Sequence, residues 1–237
     1  MSDFKSKDNF TTKIKKLCIA ALFAALAYAA MFVTSWIKVG FLTFDAKDTV
    51  IALAGLILGP VYSLVISLLV AFIELITVGD TGIYGFIMNF LSSAVFSSVC
   101  ASIYKYKKNI KGAVVGLVSA SLSMTAAMLL FNLFITPLYM GVDTATVASM
   151  IPTLFLPFNL TKGFLNASLV LVLYKPFSTA LKAARLLPSE KRTLEENEIT
   201  QNKKHIRFSL TVTAVGLVVA ALCIFIFFVV LKGEIVI

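Results

Sequence analysis

Val39-Gly-Phe-Leu-Thr-Phe-Asp-Ala-Lys-Asp48 is a polar interruption between two hydrophobic spans that are too long for a soluble protein. Further along, Asn89, Asn132, Asn159 and Lys162 stand inside similar apolar stretches. An amide or an ammonium group in lipid is costly unless it faces a partner, a ligand or water. Several such groups at comparable depth point to a polar pocket enclosed by a helical bundle.

The composition sets the class. Of 237 residues, 59% are hydrophobic and 14% charged, against a charged share of about 25% in soluble domains. Mean hydropathy is +0.94. Apolar runs of about 20 residues recur, where barrel strands would alternate over about 10, so the chain is an all-α integral membrane protein. The length leaves room for roughly six or seven spans and no sizeable soluble domain.

The net charge of +9 does not indicate nucleic acid, because its basic residues cluster in short segments beside the spans: 5–16, 105–111 and 175–207. Cys18, Cys100 and Cys223 lie within or at the edge of apolar segments. Their spacing matches no metal motif, so they read as small packing residues. The first basic stretch leads into a retained span rather than a cleaved signal peptide.

The pattern predicts helices over 14–37, 48–58, 61–78, 83–104, 113–135, 158–174 and 208–231, with Gly59-Pro60 dividing the second from the third. The second is short for a full crossing and is expected to be tilted or partly re-entrant. Basic loops placed in the cytoplasm put the amino terminus, Gly59-Pro60, 105–111 and the later linker inside. The loops near Gly40, near Asp80 and over 137–157 then face outward, and the last contains no Lys or Arg. The expected organisation is a cytoplasmic segment 1–13, a six-helix membrane domain 14–181, a charged cytoplasmic linker 182–206 and an additional C-terminal transmembrane helix over 207–237. No internal repeat supports an inverted-repeat transporter.

On this topology Thr43, Asp45, Asn132, Asn159 and Lys162 fall toward the outer half of the membrane. Asn159, Lys162 and Asn166 share one helical face by their spacing. An amide offers a donor and an acceptor, matching a heterocyclic edge that alternates carbonyl and N–H groups, while Lys162 offers donors only. These types suit a small, polar, aromatic ligand better than a bare ion. Competing roles exist for each. An Asn can simply join two helices. Lys162 can snorkel, or pair with Asp45, Asp48 or Glu74 as a structural bridge. Asp48 can serve as the cap or first-turn acid of the second helix. The glycines at 79, 82 and 85 form a turn that can also bring backbone close to a ligand.

The first helix carries a separate signal. Ala20 with Ala24, and Ala21 with Ala25, form small-xxx-small pairs that allow another helix to approach closely, either inside the bundle or on a separate membrane partner. Catalytic motifs are missing: there is no Walker A loop, no H-E-x-x-H and no G-x-S-x-G. The single histidine, His205, lies among lysines in the linker. No nucleophile can be set beside a base at one depth, which disfavours a membrane enzyme. An assembly protein without a small ligand is the remaining alternative from another class. Without an ATP-binding motif, concentrative uptake requires a partner or a coupling ion.

Four segments together carry a resemblance. Gly40-Phe-Leu-Thr-Phe-Asp-Ala-Lys-Asp48, Gly59-Pro60, Tyr84-Gly-Phe-Ile-Met-Asn-Phe-Leu-Ser-Ser93 and Pro157-Phe-Asn-Leu-Thr-Lys-Gly-Phe-Leu-Asn166 resemble the riboflavin-binding S components of energy-coupling factor (ECF) transporters, over roughly 13–181. The resemblance implies a six-helix, non-enzymatic membrane subunit that captures riboflavin on the extracellular side. It implies a transmembrane T subunit and two cytoplasmic ATPases as partners, with ATP used by those partners and no cofactor on this chain. In that family the S component topples in the membrane to deliver its ligand inward. By resemblance, Leu42, Thr43, Asn132, Asn159 and Lys162 contact riboflavin, the turn at Thr81 and Gly82 adds backbone contacts, and Ala20, Ala21, Ala24 and Ala25 dock the T subunit. The scaffold also serves other vitamins, so another vitamin or flavin mononucleotide (FMN) stays an alternative. The seventh span departs from the family pattern.

Overall fold

The computed structural model describes residues 2–79, 81–184 and 198–235. The first helix, α1 (Ser2–Thr34), is continuous from the basic amino-terminal stretch, and its part long and apolar enough to cross a membrane is Lys13–Thr34. It ends before the position expected, because Ile37–Val39 (β1) and Leu42–Thr43 (β2) form a small antiparallel hairpin with Val39 opposite Leu42. A two-residue turn joins the strands, and Gly40 there adopts φ +58°, a conformation that favours glycine.

The second helix, α2 (Lys47–Leu58), has 12 residues and spans only about 18 Å. Every residue from Lys47 to Leu56 is buried, so α2 is a central pin within the bundle. Phe44 and Asp45 are buried too, so the chain enters the bundle before α2 begins. Gly59 closes α2, and Pro60 opens α3 (Pro60–Thr77) at the first helical position, where its missing N–H has no intrahelical role.

Next come α4 (Gly82–Tyr106) and α5 (Ile110–Met140), the latter capped by Asn109, whose side chain accepts from Gly112 N at 2.7 Å. The outer loop expected over 137–157 is largely helical. The α5 helix runs through Pro137 to Met140, and α6 (Thr144–Met150) and a π-helical turn (Ile151–Phe155) lead straight into α7 (Leu156–Ala183). Pro152 lies within this π-helical turn and Pro157 just after it, where the regular helical hydrogen-bond pattern is interrupted. The last helix, α8 (Glu198–Phe225), continues in a π-helical turn (Ile226–Val230) and a short strand, β3 (Glu234–Ile235). Most of the expected linker lies outside the described residues.

Among the described residues, six helical segments are long and apolar enough to cross a membrane, and α2 is not one of them. The S-component-like core therefore combines five spanning helical segments with the short α2, and α8 is the sixth spanning element. Ile19, Phe23 and Ala27 of α1 pack with Ile51 and Leu53 of α2, Phe96 of α4, Met124 of α5 and Val170 of α7. Large apolar side chains such as Val65, Phe72 and Ile76 face outward, as lipid contact requires.

Candidate ligand pocket

The cap of α2 is the starting point for the pocket. Its own N-cap residue, Ala46, has no side-chain acceptor. Asn166 of α7 fills that role: its Oδ1 accepts from Thr49 N at 3.2 Å and from the Thr49 hydroxyl at 2.6 Å. The Asn166 amide also donates to the Asp45 carbonyl at 3.3 Å. A buried amide on α7 thus anchors both the loop and the helix that follow the hairpin.

Beside this anchor lies a buried charge cluster. Lys162 Nζ donates to Asp45 Oδ2 at 3.0 Å and lies 3.8 Å from Asp48 Oδ2. Lys47 Nζ reaches Glu74 Oε2 at 2.6 Å and Asp45 Oδ2 at 3.5 Å. Asn89 donates to Glu74 Oε1 at 2.7 Å, and the Ser93 hydroxyl donates to Asp48. Three carboxylates face two ammonium groups, leaving one formal negative charge. Asp45 Oδ1, Asp48 Oδ2 and the Ser92 hydroxyl are buried without a hydrogen-bond partner.

Above the cluster opens a cavity of about 460 Å³ between the hairpin, the α3–α4 turn, α4, α5 and α7. Its volume falls in the range of small-molecule sites. Asp45, Glu74, Ser92, Asn89, Asn132, Asn159 and Lys162 supply its polar wall. Rings supply much of the rest: Phe41 packs edge-on against Tyr139 at 6.5 Å and Phe155 at 5.9 Å, and Tyr84 lies 6.4 Å from Tyr139. Trp36 and Phe158 complete the aromatic lining.

Leu42, Thr43, Thr81, Asn132, Asn159 and Lys162, all expected from the sequence, come together on this cavity. Gly82 does not line it. With φ +56° it serves the turn into α4, and Gly79 and Gly85 line the cavity instead. Asn132 donates to the Met128 carbonyl at 2.7 Å and accepts from Thr136 at 2.9 Å, while Asn159 donates to the Phe155 carbonyl at 2.8 Å. The Asn159 side-chain oxygen therefore remains free for a ligand, and Asn132 keeps one N–H and one lone pair. Lys162 is both a cavity residue and the structural bridge to Asp45. Its pairing with Glu74 is not made, since Lys47 takes that carboxylate. Sequence reading did not single out Trp36, Lys38, Phe41, Ser92 or Tyr139 as cavity residues. Aromatics near span ends were the available signal, but interfacial anchoring gives the same pattern.

The four alanines of α1 divide into two pairs. Ala20 and Ala24 are buried, with Ala24 4% exposed, because they face the core beside Ile19 and Phe23. They pack within the bundle. Ala21 and Ala25 are exposed on the other side of α1, one turn apart.

Known proteins place this arrangement. Over 177 residues the chain is 29% identical to the riboflavin transporter RibU of Staphylococcus aureus (strain TCH60), covering 71% of this chain and 93% of that one. A solved chain described as the S component of a bacterial ECF transporter superposes with a TM-score of 0.61 at 27% identity, covering 72% of this chain and 99% of that one. Residues 15–174 match the family described as ECF transporter, substrate-specific component, a span that holds the hairpin, the charge cluster and every polar cavity residue named above. A multi-pass bundle built around a half-polar, half-aromatic hollow is what a substrate-capturing membrane subunit requires, and this chain belongs to the ECF transporter substrate-specific component family.

Proposed function

We propose that the chain is the riboflavin-binding subunit of an ATP-driven ECF importer, with its cavity opening to the extracellular side. The observation that carries this reading is the pairing of an aromatic wall with hydrogen-bonding groups in a single hollow of about 460 Å³. A flat tricyclic ring stacks among Phe41, Tyr84, Tyr139 and Phe158. Asn159 and Asn132 meet its alternating carbonyl and N–H edge, Lys162 donates to an oxygen, and Asp45 and Ser92 accept from ribityl hydroxyls. The likeness to RibU supports the same ligand.

Ala21 and Ala25 offer the close-approach surface for a T subunit, and two ATPases on the cytoplasmic side supply the energy. The amino terminus is cytoplasmic in this reading, as the distribution of basic residues requires. Equilibrium titration of the purified protein, by quenching of flavin fluorescence, tests the assignment with riboflavin, FMN, thiamine and biotin as competitors. Absence of riboflavin binding, or displacement of the bound flavin by thiamine or biotin, would contradict it.

A further inference from the structure

The C-terminal helix and strand lie outside the segment that matches the family, which ends at residue 174. They nonetheless pack against elements that line the ligand cavity. The β3 strand joins the hairpin as a third strand, in the order β2-β1-β3, with Ile235 opposite Ile37 and Glu234 opposite Lys38. Its sheet partner β1 contains Lys38, and the next strand, β2, contains Leu42 and Thr43, all three of which line the cavity.

One side chain from the π-helical turn after α8 packs against the same wall. Phe227 is 2% exposed and sits between Phe44, at 5.8 Å between ring centroids, and Phe158, at 6.1 Å. Phe158 lines the cavity from α7, and Phe44 joins β2 to the Asp45 carboxylate that pairs with Lys162. The chain then turns back tightly over this ring. Gly233 N donates to the Phe227 carbonyl at 3.0 Å, and a Cβ on Gly233 would stand 2.5 Å from the Phe227 ring. Only glycine fits there. A plain membrane anchor needs neither an inward-facing ring nor a turn shaped to return a strand to the binding loop.

We propose that this C-terminal segment is a strap that holds the ligand-capturing hairpin in its binding geometry, with Phe227 as its positioning residue. Two-stranded hairpins as short as β1–β2 are weakly ordered alone, and a third strand with a buried ring behind it removes that freedom. Ordering the loop before the ligand arrives lowers the entropy lost on capture and slows release.

The test compares the full chain with a chain truncated after Leu231 and with Phe227→Ala, Phe227→Leu and Val229→Ala. Val229 is exposed on the same π-helical turn and serves as the control. Hydrogen exchange of the amides over 37–44 without ligand reads the strap directly. Riboflavin dissociation, followed by recovery of flavin fluorescence, reads its consequence and rests on the riboflavin reading. The expected result is faster exchange over 37–44 and at least about tenfold faster dissociation in the truncated chain and in Phe227→Ala, with Phe227→Leu and Val229→Ala close to the full chain. If Phe227→Ala does not fold, the truncation, which leaves the ring in place, decides. Unchanged exchange over 37–44 in the truncated chain overturns the strap. Faster exchange with unchanged dissociation overturns its role in capture. A full chain that binds no riboflavin defeats the ligand assignment and leaves the exchange result standing as the test of the strap.

Discussion

Lys162 and Asp45 join α7 to the loop below the hairpin through a 3.0 Å ion pair in which both residues are buried. The pair makes Lys162 a dual residue, since removing its ammonium group also strands a carboxylate. Breaking a buried pair from one side costs about 3–5 kcal/mol. Lys162→Ala should therefore lower both the thermal midpoint of the ligand-free protein and its affinity. Asp45→Asn combined with Lys162→Met should recover much of the stability without recovering affinity. Melting in detergent with and without riboflavin separates the two effects. A Lys162→Ala protein with full stability and lost affinity would mean the bridge is unimportant to the fold.

Asn159 is the cleaner probe of ligand contact. One of its amide N–H groups bonds within its own helix, to the Phe155 carbonyl, and the residue lines the cavity. Asn159→Ala should reduce riboflavin binding by about 1–3 kcal/mol while the ligand-free melting point changes little. Calorimetric titration measures this, and wild-type affinity would remove Asn159 from the site.

Asn166 should behave in the opposite way. It caps α2 from α7 and touches Asp45 through the backbone, but it does not line the cavity. Asn166→Ala leaves the Thr49 N–H unsatisfied and should destabilise the ligand-free protein by about 1–3 kcal/mol. Its binding defect should disappear at low temperature, where the folded fraction is restored. A defect that persists in fully folded protein would argue for direct contact.

On α1, neighbouring alanines should give different phenotypes. Ala24 is buried against the core, so Ala24→Leu should overpack the bundle at a cost of about 1–3 kcal/mol. Ala25 is exposed, so Ala25→Leu should spare riboflavin binding by the isolated subunit and abolish assembly with the T subunit. Copurification with the partner subunits reads the second effect. Full assembly of Ala25→Leu would move the docking surface elsewhere.

Much of this was legible in the residues themselves. The spans followed from their hydropathy, and Asn132, Asn159 and Lys162 stood out because polar groups in lipid demand a reason. Periodicity could not reveal the rest. Lys47 and Glu74 lie on different helices, and only their packing brings them to 2.6 Å. The burial of α2 was hidden because a 12-residue, largely apolar helix reads equally as a truncated span or as a central pin. The pairing of β3 with β1 joins segments about 200 residues apart, and two-residue strands leave no alternating pattern to detect. Ala20 and Ala24 looked identical to Ala21 and Ala25, because small-xxx-small spacing marks close approach without saying which side is buried.

The most direct measurement is the visible absorption spectrum of the protein purified in detergent from cells grown with riboflavin. The account predicts a yellow protein with a flavin band near stoichiometric intensity, and fluorescence quenched by the surrounding rings until denaturation releases the ligand. A colourless protein that takes up no flavin when riboflavin is added back would contradict it.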